Sequence, residues 1–324
     1  GEKPYLVLDG GVSTCLETAG ISMHSRLWSS LAVRDEPATV FQIHEKFCAS
    51  GADILTASTT YQMTFEGLHE VGMDRMAAVQ LMHQGVLLAK QAADAFKGRD
   101  QYKDDDNKGK DDETAGTVDP ITNPPWVAAS VGSYGAFLAD GSEYHGGYDA
   151  RMSGRALESF HRDRIATLLS SPCDLLVAET VPCVSEVQAL RRLLAPAPKP
   201  SWISLSVAEE GRALASGAPI EDAIRVLEDP PEDEPTEALG VASMGVGVNC
   251  CAPRAVRAVL ETMRDCAHKN RVLVCYPNSG ELWDGHTKEW MGSGSGAEGS
   301  ETEQLVRQWY DAGARVIGGC CRTY

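Results

Sequence analysis

Short apolar runs recur along the chain at 5–8, 53–58, 126–131, 174–180, 202–207, 242–249, 271–276 and 315–318. Each is nearly continuous in Val, Ile, Leu and Ala rather than alternating with polar residues. That pattern predicts strands buried on both faces, as in a parallel sheet. Between most of them apolar positions step by three and four, the signature of a helix with one buried face. The clearest case runs over 74–97, where Val79, Met82, Val86, Ala89, Ala93 and Phe96 share a face. Further helices are predicted over 39–50, 150–170, 184–194, 219–227 and 302–312, and another from Pro253, which a first helical turn accepts. Eight β/α units in this length predict a single (β/α)8 TIM barrel covering 1–324. A doubly wound sheet is the alternative. It would normally carry a glycine-rich phosphate turn after the first strand, where this chain has Asp9-Gly10-Gly11-Val12-Ser13.

Two stretches break the pattern. Residues 98–119 hold Asp104-Asp105-Asp106 and Asp111-Asp112-Glu113 with almost nothing apolar, and are expected to form an exposed acidic insertion. Residues 228–237 read as a second acidic, proline-rich loop. These segments concentrate the negative charge, which totals -17 for 324 residues. A chain of that sign lacks the basic face a nucleic-acid partner requires. No run reaches the roughly 18 apolar residues of a membrane span, and residues 1–4 lead into the first strand without a signal-peptide core. The ten cysteines lack framework spacing, so a reducing, cytoplasmic setting is expected rather than a disulfide scaffold. Small-molecule substrates and a monomer or homodimer complete the expectation.

Polar residues collect where the predicted strands end. Asp9 closes the first, Thr56 and Ser58 the second, Ser130 and Gly132 the third, and Glu179 the fourth. Asn249 and Cys250 close the sixth, Tyr276 to Gly280 the seventh, and Cys320-Cys321 the eighth. In a barrel of this type the C-terminal strand ends carry function. Polar residues also cap strands for purely structural reasons, so only their joint presence on one rim is informative. Cys250, Cys320 and Cys321 would share that rim. Three thiolates suit zinc and leave its fourth position open. Taken alone, the trio fits a metal site, buried cysteines or a thiol redox pair equally well. Cys48, Cys173, Cys183, Cys266 and Cys275, scattered singly, read as small buried hydrophobes.

Four motifs then make a specific pattern: Leu8-Asp9-Gly10-Gly11, Ala178-Glu179-Thr180, Gly247-Val248-Asn249-Cys250 and Gly318-Gly319-Cys320-Cys321. In this order they resemble the homocysteine S-methyltransferase family. Residues 132–141 and 276–281 resemble its branch using S-methylmethionine or S-adenosylmethionine. The resemblance implies zinc held by Cys250, Cys320 and Cys321, with homocysteine's thiolate taking the methyl of a sulfonium donor to give methionine. It implies that Asp9 and Glu179 hold the substrate ammonium and that Asn249 positions the substrate or the adjoining ligand. Gly10, Thr56, Ser58, Gly132, Tyr276 and Asn278 join them as expected substrate contacts. Betaine- or selenocysteine-type methyl transfer, a vicinal-cysteine oxidoreductase and a non-catalytic zinc-binding barrel are the other readings. The family usually continues past the cysteine pair into a final helix, whereas this sequence ends at Tyr324. The cysteine turn is therefore expected to be the least well held part of the site.

Overall fold

The computed structural model describes residues 4–23, 25–106, 124–228, 244–284, 289–291 and 300–323. Its eight parallel barrel strands are β1 Leu6–Val7, β2 Ile54–Ala57, β3 Trp126–Gly132, β4 Leu175–Val181, β5 Ser201–Leu205, β6 Met244–Asn249, β7 Leu273–Tyr276 and β10 Ala314–Ile317. They pair in the order β1-β10-β7-β6-β5-β4-β3-β2. A parallel bridge from Leu8 to Ile54 brings the two ends together. This is the (β/α)8 barrel that the sequence predicts, and the open doubly wound sheet is set aside. Between β7 and β10 lies an antiparallel ribbon, β8 Leu282–Asp284 with β9 Glu289–Met291, which the apolar pattern does not announce.

Helices wrap the barrel. They are α1 Val12–Thr18, α2 Ala32–Asp35, α3 Pro37–Ala49, α4 Phe65–Glu70, α5 Arg75–Asp106, α6 Tyr134–Leu138, α7 Gly154–Leu169, α8 Val184–Leu194, α9 Ile220–Glu228, α10 Pro253–Cys266 and α11 Ser300–Asp311. Helix α3 begins at Pro37, two residues before the predicted start, because proline is pre-organised for a first turn. Helix α7 begins after Ser153, whose hydroxyl accepts from the Ala156 N–H at 3.2 Å, so 150–153 stay outside it. Helix α5 runs on to Asp106, nine residues beyond the predicted end and into the acidic stretch. The rest of that stretch, 107–119, and the acidic loop from 229 lie outside the described residues.

Among the described residues the core has two main parts and a small satellite of Tyr148, Leu157, Cys183 and Ala189. Side chains between strands and helices form the larger cluster. The barrel interior holds the smaller one, with Leu8, Ile54, Leu175, Val177, Trp202, Val274 and Tyr276. Interior filling makes the barrel a packed core rather than a pore, so a ligand can enter only at its mouth. At the opposite end, aspartates tie strand starts together. Asp53 Oδ2 accepts from the Val7 N–H at 2.8 Å, and Asp174 Oδ2 accepts from the Val127 N–H at 2.8 Å. No helix among the described residues is long and apolar enough to cross a membrane.

Candidate active site

The barrel mouth opens into a pocket at the C-terminal strand ends. Cys250 stands just past β6, while Cys320 and Cys321 lie on the turn after β10. The Cys250 and Cys321 sulfurs are 3.7 Å apart, those of Cys320 and Cys321 are 4.0 Å apart, and all three fall within 4.8 Å of one another. Three sulfurs placed tetrahedrally at about 2.3 Å from one ion would be separated by about 3.8 Å. The donor set therefore fits a metal ion with little movement. Cys250 is buried and the other two are half-buried, so the cluster faces the pocket. Without a cation the trio shares charge unevenly. Hydrogen bonds from the Cys320 and Cys321 thiols hold the Cys250 thiol well below its usual range despite burial, and the same sharing pushes Cys320 and Cys321 up.

The cysteine turn is held on several sides, contrary to the expectation of a loose end. Gly318 N–H donates to Cys275, Gly319 N–H to Asp9 at 3.1 Å and Cys320 N–H to Pro277 at 2.8 Å. Ser279 N–H donates to the Cys321 carbonyl at 3.2 Å, and Arg322 N–H to the Thr14 hydroxyl at 2.8 Å. The first loop closes over it. A Cβ on Gly11 would stand 2.6 Å from the Cys320 carbonyl oxygen, so only glycine allows this approach. Backbone bonds of this kind support the turn.

Across the pocket stand two buried carboxylates. Asp9 Oδ2 accepts from the Thr56 N–H at 2.7 Å, and burial raises its carboxyl well above the usual range. Glu179 accepts from the Ser130 hydroxyl and from Tyr276, whose own hydroxyl accepts from Trp202 Nε1 at 3.3 Å. Burial pushes Glu179 up to about 7 in spite of those bonds. Two desolvated acids in one pocket make a site that gains from an incoming cation.

Of the other expected contacts, Gly10, Thr56, Ser58, Asn249 and Tyr276 line the pocket. Asn249 has both ends of its amide engaged by Thr180, at 2.9 Å each, so it braces the wall. Gly132 and Asn278 stand behind the lining. A Cβ on Gly132 would meet the Tyr61 carbonyl at 2.6 Å, so its role is to let Tyr61 approach. Asn278 Nδ2 donates to the Cys250 carbonyl at 3.4 Å, and its backbone N–H to that of Cys251 at 3.0 Å, which steadies the loop carrying the thiol. Cys251 itself turns into the core.

The sequence reading missed Trp28, Tyr61, Tyr144 and Thr180, all of which line the pocket. Trp28, Tyr61 and Tyr144 sit at short turns where no periodic pattern marks them, and Thr180 lies within β4, whose apolar run does not single it out. Trp28, Thr180 and Cys250 adopt positive φ values of 47, 59 and 50°, and such strain in non-glycine residues concentrates at functional sites.

Comparison with known proteins agrees with this geometry. The family model described as homocysteine S-methyltransferase matches residues 6–324. The chain is 37% identical to homocysteine S-methyltransferase 1 of Zea mays over 319 residues, covering 98% of this chain and 90% of that one. It is 35% identical to homocysteine S-methyltransferase YbgG of Bacillus subtilis over 323 residues, covering 99% and 91%. Among solved structures, the metallated form of the homocysteine methyltransferase MmuM from Escherichia coli superposes with a TM-score of 0.76 at 31% identity, covering 99% of this chain and 93% of that one. The chain belongs to the homocysteine S-methyltransferase family.

Proposed function

We propose that this enzyme uses zinc at Cys250, Cys320 and Cys321 to transfer a methyl group from a sulfonium donor, S-methylmethionine or S-adenosylmethionine, to homocysteine. The observation that carries the reading is the placement of three convergent sulfurs and two buried carboxylates in one pocket. Bound there, zinc would supply a site at which a thiol rests as the nucleophilic thiolate at neutral pH. Asp9 and Glu179 take the ammonium of the amino acid and so aim its sulfur at the cysteine side. Asn249 and Asn278 hold the walls, and Trp28, Tyr61 and Tyr144 offer aromatic surface that suits a cationic donor.

The chemistry balances without a proton relay. The homocysteine sulfur supplies the electron pair of the new carbon–sulfur bond. The bond from the donor's sulfur to its methyl breaks, and that pair stays on the donor sulfur and cancels its positive charge. The substrate thiol releases its proton to solvent on becoming the thiolate and neither product needs protonation, which accords with a pocket of thiols and carboxylates with no histidine among the described residues of its lining. The reading carries with it a cytoplasmic enzyme of methionine biosynthesis, monomeric or homodimeric. A donor panel against homocysteine with zinc-loaded protein tests it. Methionine should form with at least one sulfonium donor, and zinc-loaded protein inert towards every sulfonium and betaine donor would refute it.

A further inference from the structure

Tyr144 stands at the end of the short 3-10 turn Ser142–Tyr144, on the loop after β3, and its hydroxyl lies 3.2 Å from the Cys250 sulfur. The direction of that bond follows from the two groups. A phenol, with an ordinary pKa of about 10, keeps its proton at neutral pH. A thiolate has no proton to give. Whenever Cys250 is a thiolate, the phenol is the donor.

This contact sets Cys250 apart. Among the described residues, the hydrogen bonds found at the Cys320 and Cys321 sulfurs are to other cysteines. Cys250 alone has a phenol at its sulfur. The turn is fixed in place by local bonds, with Ser142 N–H on Asp140 Oδ1 at 3.0 Å and Tyr144 N–H on the Gly141 carbonyl at 2.9 Å. The donor is therefore pre-set rather than recruited.

A site that brings an electron-rich sulfur to an onium methyl has a selectivity problem. Its own cysteinates are nucleophiles too, and methylation of one would form a thioether and dismantle the site. We infer that Tyr144 is a positioning and protecting residue for Cys250: its O–H donates to that sulfur, fixes the side chain and withdraws charge from it. The substrate thiolate is then left as the better nucleophile. The inference rests on the three-cysteine metal reading above.

The test uses the full chain, zinc-loaded, as wild type and as Tyr144→Phe. Both are treated with iodoacetamide and the alkylated cysteines are mapped by mass spectrometry over time. Zinc content is measured beforehand. Loss of one charge-assisted hydrogen bond should raise the rate at Cys250, relative to Cys320 and Cys321, by roughly tenfold. A second readout is the sulfur-to-metal charge-transfer band of the cobalt-loaded protein, which should shift in the variant. An unchanged alkylation ratio and an unchanged band at equal metal content would overturn the inference. Absence of metal from wild type would instead strike the underlying metal reading, so the two failures are distinguishable. Tyr144→Met, which also lacks a donor, reads the same way should the phenylalanine chain not fold.

Discussion

Arg164, buried on α7, donates from Nη2 to the Gly132 carbonyl oxygen at 2.6 Å, which ties the outer helix layer to the end of β3. The same nitrogen meets His161 Nδ1 at 2.8 Å, and Nη1 reaches the Tyr61 carbonyl at 3.4 Å. Arginine can only donate, so His161 Nδ1 accepts and its Nε2 carries the hydrogen. That nitrogen donates to Glu186 at 2.7 Å, which also accepts from Tyr148 and from the Tyr134 N–H. A buried cation and a buried carboxylate thus balance across a neutral histidine, and the assembly sets where Tyr61 sits in the pocket.

Arg164→Met should leave Glu186 without its cation and take a donor from the Gly132 carbonyl, while the Tyr61 carbonyl keeps the Gly132 N–H at 3.0 Å. Breaking a buried pair from one side costs about 3–5 kcal/mol. Urea unfolding should show a loss of that size, and Arg164→Met combined with Glu186→Gln should recover part of it. Additive losses would mean that the two groups are not coupled.

Glu179 gives a pH signature. Its folded pKa of about 7 lies above the ordinary 4.5, so the folded chain binds this proton more tightly than the unfolded chain. The contribution is complete below the ordinary value and is lost as pH rises to about 7, amounting to about 3 kcal/mol. Metal-free wild type should therefore lose stability over that window relative to Glu179→Gln. Ammonium binding has the opposite demand. Methionine, which has the amino-acid head but no thiol, should bind more tightly as pH rises through about 7, and calorimetry on Glu179→Gln should show that dependence flattened.

Thr180 holds a left-handed φ of 59°, gives its N–H to Asn249 Oδ1 and accepts from Asn249 Nδ2 at its hydroxyl. Asn249→Ala would leave the Thr180 N–H unpaired in buried space, at about 1–3 kcal/mol, while the Thr180 hydroxyl keeps Tyr61 as a partner. The variant should be destabilised by that amount in urea unfolding. It should also show a raised KM for homocysteine, because Thr180 and Cys250 lose their common brace.

The barrel was legible because strands buried on both faces must be nearly continuous in apolar residues, and eight such runs leave few architectures. Cys250, Cys320, Asp9 and Glu179 were legible because each lies at or just past the C-terminal end of a strand, on the functional rim of the barrel. Tyr144, Tyr61 and Trp28 were not, since their places depend on loop backbones set by tertiary contacts. Gly132 and Asn278 show the same limit from the other side. Rim position put them near the pocket, but a glycine that admits Tyr61 and an asparagine that holds backbone have no distinguishing mark in sequence. The acidic stretch misled at its start, because α5 carries its helical hydrogen bonding past the last apolar residue to Asp106.

The central claim is that three cysteine sulfurs hold a metal with one position free for the substrate's sulfur. X-ray absorption at the zinc edge of the loaded chain, with and without homocysteine, tests it most directly. Three sulfurs at about 2.3 Å and one lighter ligand are expected alone, becoming four sulfurs when homocysteine is added. Fewer than three sulfurs, or a count that homocysteine does not change, would contradict the account.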